Sequence, residues 1–186
     1  MHSKVEKIMN IGIFCSANNN IDRDFFDSTA ELGQWAARNG HTIVFGGCNM
    51  GLMECVAKAA HEAGGRTIGV IPKMIEKHGK VSDYVDIGIY CENLSDRKDL
   101  LLLKSDVLVA LPGGIGTLDE VFTVAAASTI GYHDKKVILF NMKGFWDSLI
   151  ACLKDLDSKG VIRGSIKDQI LVASSFEELV ALLNSK

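Results

Sequence analysis

The 186-residue chain carries twenty basic and twenty-three acidic side chains, for a net charge of -3, and 47% of its residues are hydrophobic. Eighteen glycines stand against two prolines with no G-X-Y period, which excludes collagen-like, low-complexity and disordered chains. The length suits one domain, spanning 1–186, with a core large enough to need no staples.

In chain order, the opening MHSKVEKIMN lacks the apolar stretch of a signal peptide. A first strand is predicted over 8–15 and an amphipathic helix over 22–39, carrying Phe25, Phe26, Leu32 and Trp35. A strand over 41–47 runs into glycine, followed by a helix over 50–63 and a strand over 66–72 closed by Pro72. The segment 73–83 reads as a polar loop. A strand over 85–91 and a helix over 94–104 come next, then a strand over 106–112 and a helix from about 116 to 130. A strand over 136–141, a helix over 145–158, a short strand over 169–173 and a helix over 175–184 complete the chain.

Strands that are apolar throughout belong to parallel sheets buried on both faces. Their alternation with helices predicts an α/β fold, a three-layer doubly wound (Rossmann-like), mostly parallel sheet in a single domain. No apolar run reaches the ~18 residues of a membrane span, and no basic stripe marks a nucleic-acid footprint. A cytoplasmic protein without membrane or nucleic-acid partners is expected. The five cysteines are odd in number and form no C-x-x-C pair, so buried reduced thiols are expected rather than disulfides or a zinc site.

Ligands of such sheets bind beyond the carboxyl ends of the strands. The first strand leads there to Cys15-Ser16-Ala17-Asn18, the second to Gly46-Gly47-Cys48-Asn49-Met50-Gly51, and the fifth to Pro112-Gly113-Gly114-Ile115-Gly116-Thr117. A glycine loop opening a helix presents inward N–H groups to an anion, although the same glycines could simply make tight turns. Neither loop is a dinucleotide fingerprint or a P-loop. Glu120 has two readings: Thr117-Leu118-Asp119-Glu120 is a T-x-x-E capping box, or the carboxylate does chemistry. Arg97 and Lys98 follow a helix start at Asn93 or Ser95 and could lie on a solvated face.

Together these residues resemble the LOG family, the cytokinin riboside 5'-monophosphate phosphoribohydrolases, often labelled possible lysine decarboxylases. The resemblance rests on Arg97-Lys98, on the complete P-G-G-x-G-T-x-x-E of 112–120, and on FGGCNMGLME at 45–54; it runs from about 8 to 155. It implies hydrolysis of the N-glycosidic bond of a purine nucleoside 5'-monophosphate, AMP or N6-modified AMP, to free base and ribose 5-phosphate. Arg97 and Glu120 would be catalytic. Lys98, Gly113, Gly114, Ile115, Gly116, Thr117, Gly46, Gly47, Ser16 and Asn18 would bind substrate. No metal or other cofactor is implied, and members of this size pair as homodimers. AAAS at 125–128 would let helices approach closely. Departures from the family pattern are Cys48 and Glu54 in place of glycines, and Leu94-Ser95 in place of Met-His near the base. Glu76 is a candidate substrate contact, and His133 reads as a turn residue. On the same fold, a carrier of a phosphorylated pterin such as molybdenum cofactor is the alternative; an NAD-type protein is disfavoured, and nothing identifies the Schiff-base lysine of a decarboxylase.

Overall fold

A computed structural model describes residues 7–185, so most of the amino-terminal segment compared above with a signal peptide lies outside the described residues. The seven expected strands are present: β1 (Asn10–Phe14), β2 (Thr42–Phe45), β3 (Arg66–Pro72), β4 (Ile87–Cys91), β5 (Val107–Ala110), β6 (Val137–Phe140) and β7 (Ile170–Ala173). They form one sheet in the order β4-β3-β2-β1-β5-β6-β7, and every pairing between them is parallel. The helices are α1 (Arg23–Arg38), α2 (Gly51–Glu62), α3 (Lys73–Lys77), α4 (Leu94–Lys104), α5 (Ile115–Thr129), α6 (Asp147–Ser158), α7 (Ile166–Gln169) and α8 (Phe176–Asn184).

The pleat sends alternate residues of each strand to opposite faces. Ile11, Ile13 and Cys15 therefore join Ile43, Phe45, Val107 and Val109 under α1, α2 and α8. Phe14, Val44, Leu108 and Ala110 pack on the other face with Leu101 of α4, Val121 and Val124 of α5 and Leu153 of α6. Two apolar layers flank one sheet, and both must be covered by helices, which is why the central strands read as unbroken hydrophobic runs. The chain winds outward from β1 to β4, then returns to pair β5 with the other side of β1. The switch point falls between the carboxyl ends of β1 and β5, where a crevice opens. No helix among the described residues is long and apolar enough to cross a membrane.

Several expectations need correction. The segment 73–83 is not wholly loop: α3 forms at its start, and the remainder folds back on the loop after β2, with Ser82 N–H donating to Gly47 O and Asn49 N–H to Lys80 O. β4 is not buried on both faces, because it is an edge strand; Ile87 and Tyr90 are exposed. A 3-10 turn at Met142–Gly144 and the short α7 lie where no element was expected. Ser165 and Asp168 form a capping box at α7, an S-x-x-D spacing present in the sequence. Of the cysteines, Cys15, Cys48 and Cys91 are buried and Cys55 is partly so, but Cys152 is exposed on α6. All five are free thiols.

Candidate active site

The crevice at the switch point is a cleft of about 430 Å³. Cys15, Ser16, Ala17 and Asn18 line it from the end of β1, Gly114, Gly116, Thr117 and Glu120 from α5, Arg97 from α4, and Met50 and Met53 from around the start of α2. Two of the three expected loops thus converge on it, and the third contributes only Met50. A separate apolar cavity of about 280 Å³ lies by β7, α6 and α7, with no carboxylate, histidine or thiol on its walls among the described residues.

Local sequence explains the convergence. Ser16 N–H donates to Pro112 O at 3.0 Å and ties the first loop to the fifth. On its other side, Ser16 O accepts from Leu52 N–H at 2.9 Å, and Asn19 Oδ1 accepts from Gly51 N–H at 2.7 Å. Gly51 has φ +59°, and a Cβ there would lie 2.5 Å from the Ala17 carbonyl carbon, so only glycine lets α2 press this close. The first N–H groups of α2 are consequently spent on the protein itself. α5 differs: its N-cap is Gly114, which offers no side-chain cap, and the faces of Gly114 and Gly116 look onto open space. The amino terminus of α5 is the one of the two that remains available to an anion.

α5 starts at Ile115, so Asp119 and Glu120 sit in its second turn rather than its first. Thr117 is inside the helix and is not its N-cap, so the capping-box reading of Glu120 is overturned. Glu120 points instead at α4, where Arg97 Nη2 stands 3.2 Å from Glu120 Oε1. Asn93 is the N-cap of α4, its Oδ1 accepting from Ser95 and Asp96 N–H, and this places Arg97 on the inner side of the first turns. The solvated-face alternative for Arg97 falls, because the Arg97 and Glu120 side chains are 17% and 6% exposed. Burial pushes the Glu120 carboxyl up to about 7; Arg97 opposes the rise, Asp119 adds to it and Lys98 opposes it. Arg97 Nε is buried with no hydrogen-bond partner, an orphan donor beside the cleft. Cys15 at the cleft floor is held as the neutral thiol, first by burial and then by Glu120.

The remaining candidates are placed as follows. Gly46 does not line the cleft; it lies under Arg97, and a Cβ there would collide with the guanidinium. Gly47 has φ +70° and packs on Ile71. The Thr117 side chain lies against Gly113. Ile115 is 83% exposed and outside the lining. Lys98 turns away from the cleft lining to Asp119, bonding both carboxylate oxygens at 2.9 Å. Glu76 is exposed on α3 and outside the lining, and His133 accepts from Lys135 N–H in a turn. Met50 and Met53 were not singled out by sequence reasoning; a methionine in an apolar run carries no mark of lining a site.

The protein is a doubly wound parallel α/β protein whose switch-point cleft joins an uncapped helix amino terminus to a buried carboxyl–guanidinium pair. A family model described as possible lysine decarboxylase matches residues 53–183, and the chain belongs to that family, the LOG family. It is 32% identical over 168 residues to a cytokinin riboside 5'-monophosphate phosphoribohydrolase of Mycobacterium tuberculosis, covering 90% of this chain and 89% of that one. It is 31% identical over 177 residues to the cytokinin riboside 5'-monophosphate phosphoribohydrolase LOG3 of Arabidopsis thaliana, covering 95% and 82%. Among solved structures, the molybdenum cofactor binding protein of Rippkaea orientalis matches with a TM-score of 0.74 at 29% identity, over 96% of this chain and 97% of that one.

Proposed function

We propose that the protein is a nucleoside 5'-monophosphate phosphoribohydrolase, hydrolysing AMP or an N6-modified AMP of the cytokinin-precursor kind to free base and ribose 5-phosphate. The observation that carries this reading is the buried Arg97–Glu120 pair set beside the open amino terminus of α5 in one cleft. The 5'-phosphate is held by backbone N–H groups of Gly113, Gly114, Ile115 and Gly116 and by the Thr117 hydroxyl, where the helix end favours negative charge. Ser16 and Asn18 close the opposite wall of the cleft. Breaking the C1'–N bond leaves positive charge on the ribosyl centre, and the Glu120 carboxylate stabilises it and takes a proton from the attacking water. The bond's electrons leave with the base, which takes a proton from solvent as it departs; water's oxygen ends on C1', and the proton taken by Glu120 returns to solvent. Arg97 stays charged throughout, fixes the Glu120 carboxylate and has its Nε–H free for a substrate oxygen.

The relatives' names support the substrate class. A lysine decarboxylase is not proposed, since among the described residues no lysine lines the cleft and Lys98 is engaged by Asp119. A carrier of a phosphorylated pterin is the second reading, favoured by the likeness to the molybdenum cofactor binding protein; a carrier needs no placed carboxylate, and Glu120 supports the enzyme. A cytoplasmic homodimer completes the proposal, pairing through the outer face of α4 and α5 and the turn that follows α5, where Leu103, Phe122, Ile130 and Tyr132 are exposed. The test is chromatographic: incubation with AMP and with isopentenyladenosine monophosphate should release free base and ribose 5-phosphate in equal amounts. Absence of release from every purine monophosphate at high protein concentration overturns the enzyme reading.

A further inference from the structure

Behind the Arg97–Glu120 pair lies a second ion pair one residue along both helices. Lys98 Nζ of α4 donates to Asp119 Oδ1 and Oδ2 of α5, both at 2.9 Å. The two pairs rung the same two helices, because consecutive residues on α4 meet consecutive residues on α5. They differ in setting: Glu120 is nearly sealed, whereas Asp119 is 54% exposed and Lys98 22% exposed. Lys98 is neither part of the cleft lining nor a loose surface cation.

We propose that Lys98 and Asp119 are positioning residues, an outer clamp that fixes α4 against α5 and cancels the charge that either would impose on the Glu120 carboxyl. The ionisable groups that face Glu120 are Arg97 and Lys98 from α4, Asp119 from its own helix and the Cys15 thiol from the end of β1. Cys15 stays neutral, so among the described residues Arg97 supplies the cation that pairs directly with Glu120, and the outer pair contributes opposed charges. Breaking the outer pair from either side therefore moves Glu120 in opposite directions: an uncompensated Asp119 holds the proton on, and an uncompensated Lys98 draws it off. The inference gives the Arg-Lys doublet a division of labour, with Arg97 in the cleft and Lys98 acting through Asp119. It rests on the reading of Glu120 as the working carboxyl, but its test does not need turnover.

The experiment is a pH titration of the full-length protein carrying 13C at the glutamate carboxyl carbons, with the Glu120 resonance assigned by its disappearance in Glu120→Gln. Lys98→Met should raise the Glu120 midpoint and Asp119→Asn should lower it, each by roughly 0.5–1 unit. The double variant should return close to the wild-type midpoint, and Lys98→Arg should leave it in place. A companion measurement is calorimetric binding of AMP, in which Lys98→Met has a smaller effect in the Asp119→Asn background than alone. Midpoints that move together, or do not move, overturn the proposal; so does a loss of AMP affinity on Lys98→Met that is the same in both backgrounds, which marks a direct contact. Asp119→Asn retains the side-chain volume and Lys98→Arg retains the charge, and together they decide the matter even where Lys98→Met fails to fold. A chain that hydrolyses nothing but shows the opposed shifts refutes the enzyme reading alone; turnover with unmoved midpoints refutes the clamp alone.

Discussion

At the scale of residues, the account turns on Glu120. A carboxyl raised to about 7 is an unusual group to bury, and the cost has a sign. The folded protein keeps the Glu120 proton up to about pH 7, whereas the unfolded chain releases it near 4.5, so folding takes up a proton between those values. Its contribution to stability is fully present below about pH 4.5 and is lost as pH rises through about 7, a difference on the order of 1–3 kcal/mol. The Tm of the wild type relative to Glu120→Gln should fall by a few degrees across this window, at about 2–4 °C per kcal/mol. Turnover should rise through a limb near pH 7 as the carboxylate forms. A Tm difference flat in pH would refute the assignment. The residue types of the site were legible in the sequence, since Arg97-Lys98 and 112–120 form a recognisable pattern. Their partners were not: spacing left Glu120 divided between cap and catalyst, and only the N-cap at Gly114 rules out the cap.

At the scale of elements, two glycine loops that looked alike do different things. The loop after β5 opens a helix with an uncovered amino terminus, whereas the N–H groups after β2 donate to Ser16, Asn19 and Lys80. Sequence could not separate them, because the difference lies in what packs against each loop from elsewhere in the chain. Gly46 is the clearest case, a glycine required by a side chain fifty-one positions later. Gly46→Ala should displace the flexible tip of Arg97, costing less than about 1 kcal/mol of stability but tenfold or more in turnover, since misplacing a reacting group by ~1 Å can cost ~100-fold. Gly33→Ala makes the contrast: its Cβ would lie 2.7 Å from the Val56 backbone oxygen between α1 and α2. It should lower stability by about 1–3 kcal/mol and leave turnover per folded molecule unchanged. Chemical denaturation and steady-state assays on both variants check the pair; equal losses of activity would show that Gly46 serves only packing.

At the scale of the whole molecule, strand and helix order was legible because apolar runs and helical periodicity are local properties of the chain. The edge position of β4 and the helical turn of α3 were not, since both depend on which strand ends up outermost and what folds back on it. The exposed apolar residues on α4 and α5 predict self-association. Phe122→Glu or Leu103→Glu should shift the molar mass in sedimentation from dimer to monomer, and a monomeric wild type at micromolar concentration would remove the proposed pairing. The decisive assay compares AMP and isopentenyladenosine monophosphate as substrates of the wild type, Glu120→Gln and Arg97→Ala side by side. The account predicts base and ribose 5-phosphate released by the wild type and a loss of at least ~100-fold in each variant, with the fold retained. Undiminished turnover in Glu120→Gln, or no release by the wild type, would contradict it.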